Sequence, residues 1–142
     1  MNIEYKIEPY KSVGEYSFGM TRDDIRKFMG EPISTVNYGY PISDRYLDDY
    51  GFLYILCSNK GRLEAVQIFP DYTEDNIFLI CNGKKIELTT DFEKTISDFL
   101  TISDDFVKED DTYLSEKLGV KIFCPDDYVE NVIIHDMHCY DE

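Results

Sequence analysis

Residues 46–69, YLDDYGFLYILCSNKGRLEAVQIF, decide the fold. Two apolar runs, Tyr50 to Cys57 and Arg62 to Phe69, are joined by Ser58-Asn59-Lys60-Gly61, and Gly61 suits a left-handed turn position. That pattern specifies a β-hairpin. Residues 113–135, YLSEKLGVKIFCPDDYVENVIIH, can be laid over it. Gly51 then matches Gly119, Phe52 matches Val120 and Tyr54 matches Ile122. After a shortened turn, Leu63-Glu64 matches Val129-Glu130, and Val66 and Ile68 match Val132 and Ile134.

Each copy is preceded by a short amphipathic helix. In FGMTRDDIRKFMGEP, Thr21 and Asp24 make a capping-box-like start, while Gly30 and Pro32 stop the helix. Asp23 and Asp24 sit in its first turn, and Arg26 and Lys27 near its last, as the helix dipole prefers. Ile25, Phe28 and Met29 form one apolar stripe. In DFEKTISDFL, Asp91 to Leu100, the stripe is Phe92, Ile96, Phe99 and Leu100. Asn2 to Glu8 alternates as a half-buried strand, and NIFLI and KIEL flank an Asn82-Gly83 turn, a strong hairpin signal.

One short helix on one hairpin buries too little apolar surface, so two such units are expected to share a sheet. The expected fold is α+β: a mostly antiparallel sheet of about six to eight strands, with two short helices on one side. The other face is expected to be Tyr-rich and partly exposed. The 142 residues suit a single domain, 1–142, with repeat-like halves at 14–88 and 89–142.

Twenty-nine acids against fourteen bases leave a net charge of −15. Such a field repels nucleic acids and anionic membranes and speeds encounter with a cationic partner. The twelve Tyr and nine Phe, with no Trp, suit either sheet faces or protein contacts. The opening MNIEYKIEPY has no apolar core of a signal peptide, so a cytoplasmic protein with reduced thiols is expected.

Little chemistry is written in the chain. Cys57, Cys81 and Cys124 lie in apolar strands, where Cys serves as a small hydrophobe, and no CxxC pair is present. In HDMHCYDE, residues 135–142, a strand would send His135 and Cys139 to one face and His138 to the other, so no metal site is expected. No phosphate-cradling loop or calcium loop is present, and no cofactor is expected.

Three loops interleave acids with Tyr. They carry Asp44, Tyr46, Asp48 and Asp49; Asp71, Tyr72, Glu74 and Asp75; and Glu109, Asp110, Asp111 and Tyr113. Acids beside rings suit a surface that meets Lys and Arg, so these twelve are the candidate contact residues for a basic protein partner. A plain alternative is three solvated loops.

The Gly19-Met20-Thr21 start, the helix and Gly30-Glu31-Pro32, followed by strands, resemble the opening of small outer-membrane-assembly lipoproteins. The duplicated layout resembles the secreted β-lactamase inhibitor proteins. Because MNIEYKIEPY offers neither a signal peptide nor a lipid-bearing Cys, the first resemblance carries over the fold and not the membrane role. The acidic, Tyr-rich, motif-poor profile resembles bacterial immunity proteins, including those of contact-dependent inhibition systems. That resemblance implies a non-enzymatic inhibitor that blocks a cognate toxin, most simply a nuclease domain. A small enzyme with a site in the sheet's concavity and a non-inhibitory adaptor are the competing expectations.

Overall fold

The computed structural model describes residues 1–38 and 45–137. Helix α1 (Arg22–Met29) begins where the Thr21 hydroxyl accepts the Asp24 backbone N–H at 3.1 Å, and it ends at Gly30, where φ is 78°. Helix α2 (Phe92–Ile102) begins at Asp91, whose carboxylate accepts the Lys94 N–H at 3.1 Å. Both caps satisfy backbone donors that a helix start leaves open.

A four-strand meander follows each helix. After α1 come β4 (Ser34–Tyr38), β5 (Arg45–Asp49), β6 (Leu53–Cys57) and β7 (Leu63–Ile68). After α2 come β10 (Val107–Glu109), β11 (Thr112–Ser115), β12 (Val120–Phe123) and β13 (Asn131–His135). The meanders meet where β13 pairs with β7, giving an eight-stranded antiparallel sheet of order β10-β11-β12-β13-β7-β6-β5-β4.

The remaining strands depart from the single-sheet expectation. β1 (Asn2–Glu8) pairs in parallel with β8 (Asn76–Cys81), and β8 turns through Asn82-Gly83 into β9 (Lys84–Leu88). With β2 (Ser12–Val13) and β3 (Tyr16–Ser17) they make a second sheet of order β3-β2-β1-β8-β9. The reason is their alternation. Tyr5, Ile7, Ile77, Leu79, Ile86 and Leu88 are buried in the common core while many neighbours are wet, so this sheet needs an apolar surface to lie on. One face of the large sheet supplies it with Leu53, Ile55, Val66, Ile68, Val120, Ile122, Val132 and Ile134, each at most 1% exposed.

Both helices join the same core, α1 through Ile25 and α2 through Thr95 and Phe99. Neither stripe is buried as the sequence suggests. Met29 lies about 40° from Ile25 around the helix and packs on the core, but Phe28 lies about 60° away on the other side. Phe28 is 45% exposed, its ring 5.6 Å from that of Tyr16. Leu100, about 100° round from Phe99, is likewise exposed. Thr95 is buried in its stead, with its hydroxyl donated to the Thr89 carbonyl at 3.2 Å. No helix among the described residues is long and apolar enough to cross a membrane.

Candidate partner-binding face

Asp48 is not a surface carboxylate. It points from β5 towards α1, is 1% exposed, and accepts three partners. Arg22 grips it with Nη2 at 2.8 Å and Nε at 3.0 Å, Arg26 with Nη2 at 3.1 Å and Nε at 3.3 Å, and the Thr35 hydroxyl at 2.8 Å. Burial alone would push its carboxyl up, but these hydrogen bonds outweigh it and hold the pKa at about 2. Tyr46, one alternation away, lies under the Arg22 guanidinium at 4.6 Å. These two expected contact residues therefore fasten α1 to the sheet. At the other end of β5, Arg45 pairs with Glu64, both buried.

The other candidates divide. Tyr113 is half-buried with its ring 5.8 Å from Phe92, so it belongs to the packing of α2. Asp49 accepts the Gly51 N–H at 2.7 Å. Asp110 takes φ 52° in the tight β10–β11 turn, where Asp111 accepts the Cys124 N–H through its carbonyl at 2.7 Å. Asp75 lies 3.5 Å from the Met1 ammonium, Glu74 is exposed beside it, and Glu109 is exposed on β10. Asp71 is exposed and, as a hydrogen-bond acceptor for the Tyr128 phenol, raises the pKa of that group. Tyr72 is 57% exposed and stacks on Phe69 at 4.7 Å. Asp44 falls outside the described residues. The twelve do not converge on one surface, since strand alternation sends Tyr46, Asp48 and Tyr113 to the helix side.

What does converge is the helix-free face of the eight-stranded sheet. At its centre is an open depression of about 360 Å³. Its apolar walls are Tyr54, Phe69, Phe123 and Ile133, and its polar lining is Gln67, Thr112, Lys121, Glu130 and Asn131. The rings of Tyr54 and Phe69 lie 4.5 Å apart, and Tyr72 continues the stack outward. Gln67 and Ile133 are register partners across the β7–β13 seam, so the depression straddles the junction of the two meanders. Carboxylates stand round it. Asp49 is the register partner of Tyr54, Asp71 neighbours Tyr72, and Glu130 is in the lining itself. Asn131 is 3% exposed, and its Oδ1 has no hydrogen-bond partner among the described residues.

The alternation of large apolar residues on both faces of β6, β12 and β13 is the sequence signal for this depression: Tyr54 against Ile55, Phe123 against Ile122, Ile133 against Ile134. A sheet with only one covered face would carry polar residues at those second positions. Elsewhere, reactive chemistry is sparse. Cys57, Cys81 and Cys124 are free and buried, and burial pushes the Cys57 thiol up to about 12 and the Cys124 thiol up to about 11. Burial lowers the pKa of His135, whose Nδ1 lies 2.9 Å from the Asp136 carbonyl. Among the described residues no three His, Cys, Asp or Glu side chains cluster to hold a metal; His138, Cys139 and Asp141 lie outside them. The chain matches no protein-family model, no curated protein and no solved structure.

Proposed function

We propose that this chain is an acidic protein-binding inhibitor that docks a cationic partner on the helix-free face of its large sheet. The observation that carries the reading is that face: partly exposed Tyr54, Phe123 and Ile133 at the centre, with Glu130 in the lining and Asp49 beside Tyr54. An apolar centre with a polar rim is the anatomy of protein interfaces, and the −15 charge selects a basic surface. The partner that best suits this charge is a toxin domain acting on a polyanion, such as a nuclease, with the chain as its immunity protein. Blocking would be steric and electrostatic, carboxylates occupying the place of substrate phosphates.

The same reading includes an internal duplication, helix then meander, on either side of the seam. Its support is the pairing register. Val66 pairs with Ile134 and Ile68 with Val132, which is what a two-fold axis between Gln67 and Ile133 requires if Val66 corresponds to Val132 and Ile68 to Ile134. Gly51 and Gly119, which correspond in the same alignment, both have positive φ before the strand that follows. The depression lies on that axis, so both halves contribute to it.

The test is to capture the partner with the tagged chain, purify both, and measure association kinetics and the partner's own activity. A basic partner whose association slows as salt rises, and whose activity is lost on binding, supports the proposal. Association indifferent to salt, or binding that leaves every activity intact, overturns the inhibitor reading and leaves an adaptor.

A further inference from the structure

We infer that the depression over Asn131 is a socket for one arginine side chain of the docked protein. The inference rests on the reading of the helix-free face as the contact surface, and it names what enters the centre. Three features converge on a guanidinium. The walls are aromatic: Tyr54 and Phe123 are partly exposed rings on which a planar cation can stack, and the buried Phe69 backs Tyr54 at 4.5 Å. Asn131 lines the floor, and its side-chain carbonyl oxygen is buried with no hydrogen-bond partner among the described residues. A buried acceptor left open costs stability, and an N–H donor from outside would satisfy it. The lining holds one carboxylate, Glu130, and one base, Lys121, and Asp49 stands beside it as the register partner of Tyr54. Lys121 also borders the next depression with Glu109 and Glu116, so carboxylates flank it there.

Other occupants fit less well. A lysine supplies charge and donors but lacks the plane that stacks on rings. An aliphatic or phenylalanine knob would fill the walls and leave the Asn131 oxygen open, and a tyrosine or tryptophan could reach it but would bring no positive charge to Glu130. A carboxylate would meet the rim acids and bring no donor. An arginine meets all three demands with one side chain, stem on Ile133 and guanidinium among the rings. Such a desolvated anchor at the middle of an interface is where binding energy concentrates.

The experiment uses the isotope-labelled protein and two small probes, N-acetyl-arginine amide and its neutral isostere N-acetyl-citrulline amide. The arginine probe should shift the Asn131 side-chain amide, the Ile133 methyls and the Phe123 ring in a saturable way. Citrulline should bind at least about fivefold more weakly, because it keeps the shape and loses the charge-assisted bonds. Asn131→Leu should abolish the response while raising the melting temperature, since it removes an unpartnered buried acceptor. Phe123→Leu should weaken it without unfolding the sheet. Shifts that spread over the acidic surface without saturation, an equal response to citrulline, or a response unaltered by Asn131→Leu would each overturn the socket. Those results leave the proposed function standing if the captured partner still binds this face. If no cationic partner binds the face at all, the function falls whatever the probes do.

Discussion

Asp48 holds two arginines and a threonine on one carboxylate, so its removal strands two guanidiniums at the α1–sheet contact. Asp48→Asn should cost roughly 2–4 kcal/mol in denaturant unfolding near neutral pH, less than for a wholly buried pair because both arginines are partly solvated. Its folded pKa is depressed from 3.8 to about 2, so its contribution is complete above the unfolded value. That contribution, about 2 kcal/mol, is lost as pH falls towards 2. An acid titration of stability should therefore be flatter in Asp48→Asn over this window. The two helix-face apolar residues give a second test. Ile25→Ala should cost about 2–5 kcal/mol and Phe28→Ala under about 1.5, because only Ile25 is sealed in the core. Equal losses would mean that α1 is rotated from its described orientation. The cap at Thr21 was legible because capping is a local hydrogen bond. The role of Arg22 and Arg26 was not, since Arg26 in the last turn suits the helix dipole and a solvated face equally well, and Arg22 at the first position has no local partner that would mark it. Only the strand that brings Asp48 under them decides between the two.

Elements were legible where their signal is short-range. Asn82 and Gly83 both take positive φ, 52° and 75°, and close the two-residue hairpin that the dipeptide predicts. The destination of that hairpin was illegible, because β8 pairs in parallel with β1 across the whole first helix and meander, and no local pattern encodes a partner so distant. Glycines separate the two situations experimentally. A Cβ at Gly119 would stand 2.8 Å from the His135 carbonyl oxygen and 3.0 Å from the Tyr10 ring at φ 65°, whereas one at Gly83 would meet nothing. Gly83→Ala should cost about 1–2 kcal/mol for the left-handed backbone alone. Gly119→Ala should cost clearly more, since the β12–β13 edge must also shift. Matching losses in thermal or denaturant unfolding would show that Tyr10 and the carbonyl yield freely.

At the scale of the molecule, twenty-nine acids against fourteen bases crowd one small domain, most of them outside its core. Their repulsion opposes folding, and salt screens it within about 8 Å at physiological strength. The melting temperature of the isolated protein should thus rise with sodium chloride. A fall would mean that the internal pairs at Asp48 and Glu64 outweigh the surface field. Composition made this charge plain, but not which carboxylates are spent inside. Tyr46, Asp48 and Asp49 stand within one tetrapeptide, yet strand alternation sends Tyr46 and Asp48 to Arg22 under α1 and leaves Asp49 to hold the Gly51 turn. The sequence predicts a partly exposed, Tyr-rich second face, and the depression there is lined by one Tyr, Tyr54, beside Phe69 and Phe123. Its centre was missed because Asn131, Gln67 and Phe123 come together only through the β7–β13 seam.

That seam has a consequence for synthesis. The first meander can assemble on a nascent chain from neighbouring strands, but β7 then waits with a naked edge until β13, the last described strand, emerges. Loop closure over such a span is slow compared with hairpin formation. During that interval β13 of another copy offers β7 the same register. An exchanged dimer, each chain lending its final strand to the other, is the natural misassembly of this architecture.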